Sequence, residues 1–146
     1  MSVVKVERRV LAPQETVFDH VATRHFENHP LWDPEVLEMR QSSPGPVGVG
    51  TTARVIRRQG SKHVEGTATV TEYQPISAAA WEVHFDVFRL QQRVEVQPVG
   101  DGDASLLRLE ISATATGPLR LMLPLMRPRF QRTMQRSIGV IASLVE

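Results

Sequence analysis

The 146-residue chain predicts an α+β fold, a curved antiparallel β-sheet wrapped around a long C-terminal helix, with two short helices after the first strand. Three observations predict it. Between Pro34 and Ala115 apolar and polar side chains alternate in successive short runs, the period of half-buried strands. The connections between those runs are too short to hold a crossover helix, so neighbouring strands must be antiparallel. From Leu119 onward Met126, Phe130, Met134, Ile138, Ile141 and Val145 recur at three- or four-residue steps, the apolar stripe of an amphipathic helix.

The first run, VVKVERRVL, places Val4, Val6 and Val10 on one face and Lys5, Glu7 and Arg9 on the other, a strand. APQETVFDHVA follows, with Pro13 at a first-turn position, Glu15 beside the positive helix end and Val17, Phe18, Val21 and Ala22 as an apolar stripe. A second short helix is expected over Thr23–His29, with Pro30 ending it. VLEMRQ begins the sheet, and SPGPVGVG must be a loop because of its glycines and prolines. TTARVIRRQ and KHVEGTATVTEY are joined at Gly60–Ser61, a hairpin signal. AAAWEVHF and FRLQQRVEV are joined at Asp86–Val87, and PVGDGD leads into LLRLEISATA, whose Leu107, Leu109, Ile111 and Ala113 alternate with Arg108, Glu110 and Ser112. Pro124 and Pro128 are expected to break or kink the start of the last helix.

Size and composition set the bounds. The length fits one domain, residues 1–146, large enough to bury a core without staples. With 17 basic and 16 acidic side chains no global field recruits nucleic acid or membrane. The charge is uneven, though: residues 1–110 carry net −3 and residues 111–146 net +4. The absence of cysteine excludes disulfides, thiolate catalysis and cysteine-ligated zinc. MSVVKVERRV is too charged for a signal peptide, and no apolar run approaches the roughly 18 residues of a membrane span. A soluble, cytoplasmic protein is the expectation.

The order of elements and several local motifs resemble the START-like (SRPBCC) superfamily, the helix-grip fold, and within it the polyketide cyclase/dehydrase branch. The residues that carry the resemblance are Ala12–Pro13 with Val17–Phe18, Trp32–Asp33 ahead of the second strand, and SPGPVGVGT with Gly50. VTEYQP with Pro75, the PVGDGD turn and Gly117–Pro118–Leu119 before the last helix complete it, so it spans the whole chain. The resemblance implies a cavity between helix and sheet. Members include hydrophobic-ligand carriers and ring-closing enzymes of polyketide pathways, and the branch has no single catalytic motif to carry over, so fold alone does not give function.

Strand parity predicts what faces that cavity. Val64, Ala68 and Val70 share a face, as do Trp81, Val83 and Phe85, then Phe88, Leu90, Val94 and Val96, then Leu107, Leu109 and Ile111. Gln92 is the one polar residue among them, and Met122, Met126, Phe130 and Met134 face them from the helix. Methionine adapts to irregular space, and so apolar an interior suits a hydrophobic or aromatic guest while offering no acid/base pair. The same residues would equally close a solid core.

Candidate polar sites are few. His25 and His29, with Asp33 near, form a nitrogen–nitrogen–oxygen set compatible with zinc. HFENH is not H-E-x-x-H, however, and a pair of solvated surface histidines explains the spacing; no metal or cofactor is assigned. Trp32 marks the rim of the cavity in the resemblance. His84 falls on the outer parity. Arg54 and Arg57 lie on opposite parities, so one of them faces inward; Arg54 is taken as the residue that pins or polarises a ligand. SPGPVGVGT lacks the Gly-Lys-Ser/Thr of a phosphate loop. Arg129, Arg132 and Arg136 share a face of the last helix, near the apolar Leu119–Met126 stretch, a combination that can touch anionic lipid or an acidic partner but more simply is a solvated face over a buried stripe.

The leading expectation is binding or carriage of a small hydrophobic or aromatic molecule, by Trp32, Arg54, Trp81, Val83, Phe85, Phe88, Leu90, Val94, Leu109, Met122, Met126, Phe130 and Met134, in a monomer or homodimer. A polyketide cyclase/dehydratase-like enzyme is the first alternative, and it requires an inward acid/base group. A peripheral-membrane or protein-interaction module using the basic helix is the second.

Overall fold

The computed structural model describes residues 3–146. Seven strands, β1 (Val4–Val10), β2 (Val36–Gln41), β3 (Thr52–Gln59), β4 (Lys62–Gln74), β5 (Ala78–His84), β6 (Phe88–Val99) and β7 (Ala104–Ala115), form one antiparallel sheet in the order β1-β7-β6-β5-β4-β3-β2. The first strand thus leaves its sequence neighbours and pairs with the last, Val4 opposite Ile111 and Val10 opposite Ser105. The helices α1 (Gln14–Phe18) and α2 (His25–Trp32) are joined by a wide π-type turn at Asp19–Thr23, and α3 (Leu119–Val145) closes the chain. The result is the helix-grip fold, a curved seven-stranded sheet holding a long C-terminal helix.

The alternation read from the sequence is the burial pattern of the sheet. On β7 Leu107, Leu109, Ile111 and Ala113 are buried while the residues between them are half-exposed or exposed. On β6 Leu90, Val94 and Val96 are buried, and on β5 Trp81 and Val83. The hairpins fall at Gly60–Ser61, where Gly60 takes the left-handed conformation with φ of 61°, and at Asp86–Val87, closed by Phe85 N–H donating to Phe88 C=O at 2.9 Å. A shift of register between Val70 and Glu72 bends β4, the device by which a sheet curls.

Two helix expectations are corrected. The second short helix runs His25–Trp32, through Pro30 rather than ending at it, because residues before and after keep helical bonding: Asn28 N–H donates to Arg24 C=O and Asp33 N–H to His29 C=O. Likewise α3 is continuous through Pro124 and Pro128. Both prolines are exposed and one turn apart, so the carbonyls they leave without an N–H face water, where the loss is small. The buried stripe of α3, Leu123, Met134, Ser137, Ile138, Ile141 and Ala142, packs on β1 and β7 and against α2. No helix among the described residues is long and apolar enough to cross a membrane.

Candidate ligand-binding site

Between α3 and the sheet the packing leaves a narrow cleft with two lobes. The outer lobe, about 80 Å³, lies among Phe88 and Leu90 of β6, Leu119, Leu123, Met126 and Phe130 of α3, and Glu35 and Arg57 at its edge. The inner lobe, about 50 Å³, lies among Trp32, Trp81, Val94, Leu109, Ile111 and Met134. Arg57, Phe130 and Thr133 belong to both. Together the lobes hold less than the roughly 150 Å³ of an apolar cavity that takes up benzene, and far less than the 300 Å³ or more of a drug-sized pocket. The interior is neither solid nor widely hollow. Phe130 fills the space where the lobes meet, so even a one-ring guest requires Phe130 or α3 to move outward.

The cleft receives most of the residues named from strand parity, and returns others to the core or the surface. Trp32, Trp81, Phe88, Leu90, Val94, Leu109, Met126, Phe130 and Met134 line it. Val83 is buried but lies in the core beyond it, and Phe85 lies outside the lining, stacked on Phe88 with ring centroids 4.5 Å apart. Met122 is corrected outright: it is 54% exposed, because the buried stripe at the start of α3 passes through Leu123 and Met126 instead. Leu121 and Leu125 are exposed beside it.

Arg54 is the second correction. Ala53 and Val55 are buried on the inner face of β3, so Arg54 between them points outward, where its guanidinium pairs with Glu65 of β4. Arg57 shares parity with Ala53 and Val55 and is the arginine that reaches the cleft. There its Nη1 lies 3.3 Å from Asp33 Oδ2, with side chains 14% and 8% exposed.

The largest departure concerns HFENHPLWDP. His25 and His29 are not surface residues but buried, at 3% and 5% exposure. Their side chains form a relay with Asp33. His25 Nδ1–H donates to Val21 C=O at 3.0 Å, which leaves Nε2 to accept from His29 Nδ1–H at 3.1 Å. The other nitrogen of His29, Nε2, stands 3.5 Å from Asp33 Oδ2. Asp33 also accepts Glu35 N–H at Oδ1, 3.0 Å. The tryptophans clamp this relay on both sides: Trp81 stacks on His25 at 4.0 Å and Trp32 on His29 at 4.5 Å. Ser137 of α3 fixes Trp32 by donating to its carbonyl at 2.5 Å. Because the histidine nitrogens face each other, the spacing that suggested metal ligation serves a hydrogen-bonded chain; among the described residues no group of three or more His, Asp or Glu is arranged to hold an ion.

Burial sets the protonation of His25, and the groups beside Asp33 set that of its carboxyl. Removal from water pushes the His25 imidazole well below its ordinary range, His29 pushes the same way, and the Val21 carbonyl opposes only in part. For Asp33 burial alone would raise the carboxyl, but His29, Arg57 and the Glu35 N–H outweigh it and hold the group ionised far into acid. His20, also buried, is lowered chiefly by desolvation. The consequence for stability has one sign. Below about pH 6.5 an unfolded His25 takes up a proton that the folded one refuses, so stability falls with falling pH at up to about 1.4 kcal/mol per unit for each such group. The Asp33 contribution, present above its unfolded pKa near 4, is lost only below it. Urea unfolding at pH 7 and pH 5 should therefore show a loss that shrinks by about one proton's worth in His25→Phe, whatever that variant's absolute stability. An equal loss in both proteins would remove His25 as its source.

Two further donors stand without acceptors. The indole N–H groups of Trp32 and Trp81, like His20 Nε2, are buried with no hydrogen-bond partner among the described residues.

A long C-terminal helix gripped by a curved antiparallel sheet, with an apolar cleft between them, defines a START-like domain. The sequence matches the model of the family described as polyketide cyclase / dehydrase and lipid transport over residues 1–146, and the chain belongs to that family. It is similar in structure to a START superfamily protein of Mycobacterium smegmatis, at 19% identity and TM-score 0.78, with 98% of this chain and 96% of that one covered. A protein of Thermus thermophilus gives 18% identity and TM-score 0.78 over 99% and 97%. The Zhui aromatase/cyclase of Streptomyces sp. R1128 gives 12% identity and TM-score 0.77 over 99% and 93%. These identities carry the fold alone. No curated protein matches the sequence. The family and the fold together support a START-like cavity able to hold a small hydrophobic ligand.

Proposed function

We propose that the protein binds a small, largely apolar molecule of about one ring in the cleft between α3 and the sheet. The observation that carries this reading is the lining of the inner lobe, where Trp32, Trp81, Val94, Leu109, Ile111 and Met134 form an apolar wall beside the polar groups of His25, His29, Asp33 and Gln92. Each Å² of guest surface withdrawn there from water contributes about 25 cal/mol. Arg57, Thr133 and Phe130 at the junction of the lobes would orient the guest and exclude solvent.

The test is ligand-induced stabilisation. A single-ring compound at a hundredfold excess over its Kd should stabilise the protein by about 2.7 kcal/mol and raise the Tm accordingly. Met134→Trp, which fills the inner lobe, should abolish the rise. A panel of one-ring compounds that leaves the Tm of the unaltered protein unmoved sinks the reading.

One observation favours a second reading, an acid/base enzyme of the cyclase or dehydratase kind. The His25–His29–Asp33 relay lines the lobe that the guest would occupy, and a carboxylate–imidazole pair is the ordinary means of moving a proton. The expectation of an interior without acid/base groups is thus replaced. Only this reading requires turnover, lost in His29→Gln while guest binding survives; binding without turnover leaves the carrier.

A further inference from the structure

We infer that the first half of α3 docks on an anionic lipid bilayer, with Leu121, Met122 and Leu125 entering the acyl boundary and Arg132 and Arg136 meeting the lipid phosphates. The surface lies outside the cleft, and neither reading of the cleft depends on it.

The outward line of α3 carries the argument. The buried stripe passes through Leu123 and Met134, so the side opposite the sheet holds Leu121, Leu125, Pro128, Arg132 and Arg136, three or four residues apart and all exposed. Leu121 is 75% exposed and Leu125 80%, and Met122 stands beside them. Large apolar side chains grouped on a surface mark a contact with something apolar outside the chain. Thr116, Gly117 and Pro118 ahead of the helix are exposed too, so no described part of the chain covers this end.

The charge on the same helix has one sign. Along its 27 residues α3 carries Arg120, Arg127, Arg129, Arg132 and Arg136 and no carboxylate. Arg129 is paired with Glu35, and Arg127 donates to Val3 C=O. Arg120, Arg132 and Arg136 are in no ion pair among the described residues. Arg58, near the tip of the β3–β4 hairpin and across the outer lobe from α3, adds a further exposed cation. The whole chain is nearly neutral, so the attraction is local to this face.

The order of these groups favours a bilayer. Arg132 lies seven residues beyond Leu125, about 10 Å along the helix axis. That is comparable with the ~5–10 Å to which apolar side chains of interfacial helices sink below the head groups. Arg120, in the first turn, reaches back to the head groups along its own apolar stem. A second copy of this face would set arginines against arginines, with no carboxylate on either helix to pair them. A purely acidic partner satisfies the arginines and leaves the leucines in water. Leu119, Leu123 and Met126 of the same turns line the outer lobe, so docking brings the mouth of the cleft to the acyl boundary.

The experiment sediments the full chain with vesicles of equimolar phosphatidylcholine and phosphatidylglycerol, and with vesicles of phosphatidylcholine alone. The chain is expected to bind the mixed vesicles, to be released by added salt, and not to bind phosphatidylcholine alone. Arg132→Gln/Arg136→Gln should weaken binding about thirtyfold, and Leu121→Ala/Leu125→Ala by about tenfold or more. All four side chains are exposed, so the variants keep the fold. Equal binding to both vesicles, or none to either, overturns the inference. So does binding that ignores the leucine pair and is matched by polyglutamate, which describes an acidic partner. A dimer in solution that the leucine pair dissociates gives this face to a second copy and overturns it as well. None of these results touches guest binding in the cleft.

Discussion

Replacing Asp33 by alanine is expected to destabilise the protein by about 3–5 kcal/mol, the range for removing one partner of a buried ion pair. The carboxylate accepts from Arg57 and from Glu35 N–H and faces His29, and it is 8% exposed on its side chain. Alanine leaves a guanidinium only 14% exposed with nothing opposite it. Much of the loss is therefore the stranding of Arg57 and not the worth of the pair. The double variant Asp33→Ala/Arg57→Met should recover a substantial part, since the uncompensated charge is gone and methionine fits apolar walls. Urea unfolding of the four proteins of the cycle decides it. A loss below about 1 kcal/mol for Asp33→Ala, the level of a solvated surface pair, would mean that water reaches the site and that the relay organises nothing.

Gly66→Ala should cost about 2–3 kcal/mol, the overpacking range, although it adds a single methyl to a strand. Gly66 sits on β4 with its Cα facing the end of β5, and a Cβ there would stand 2.6 Å from His84 C=O and 2.7–2.8 Å from two atoms of the Phe85 ring. The ring can swing away; the backbone oxygen belongs to a strand paired with β4, His84 opposite Thr67, and cannot. Phe85→Leu in the same background should restore only part of the stability, because it relieves the ring and leaves the carbonyl. Full restoration would place the conflict in the ring alone, and a neutral Gly66→Ala would show that the two strands separate more easily than their pairing suggests. The glycine also explains where the Phe85 ring goes: it covers the bare backbone of Gly66 and stacks on Phe88.

Much of the site was legible where one face of a strand had to be buried. On β5, β6 and β7 alternation alone identified Trp81, Leu90, Val94 and Leu109, and the cleft receives them. The same signal, applied to β3, would have assigned Arg57: with Ala53 and Val55 inward, Arg54 must point out. The signal for the histidine relay was weaker. In His25–Trp32 apolar and polar residues do not segregate to faces, and His25, Phe26, Asn28, His29 and Trp32 are all buried. A helix enclosed nearly all round carries no stripe to read, and its polar residues are satisfied by one another and by the tryptophans stacked on them.

The sequence by itself determined the order of elements, the antiparallel sheet, the gripped helix and the family, because two periodicities, two residues for strands and three to four for helices, are local properties of the chain. Only the tertiary structure decided that Arg57, Asp33, His29 and His25 meet beneath two tryptophans, that Met122 stays outside, and that the cleft is narrow. Those facts depend on which face meets which across residues far apart in the chain, and on how far Phe130 reaches between helix and sheet. No local period encodes either distance.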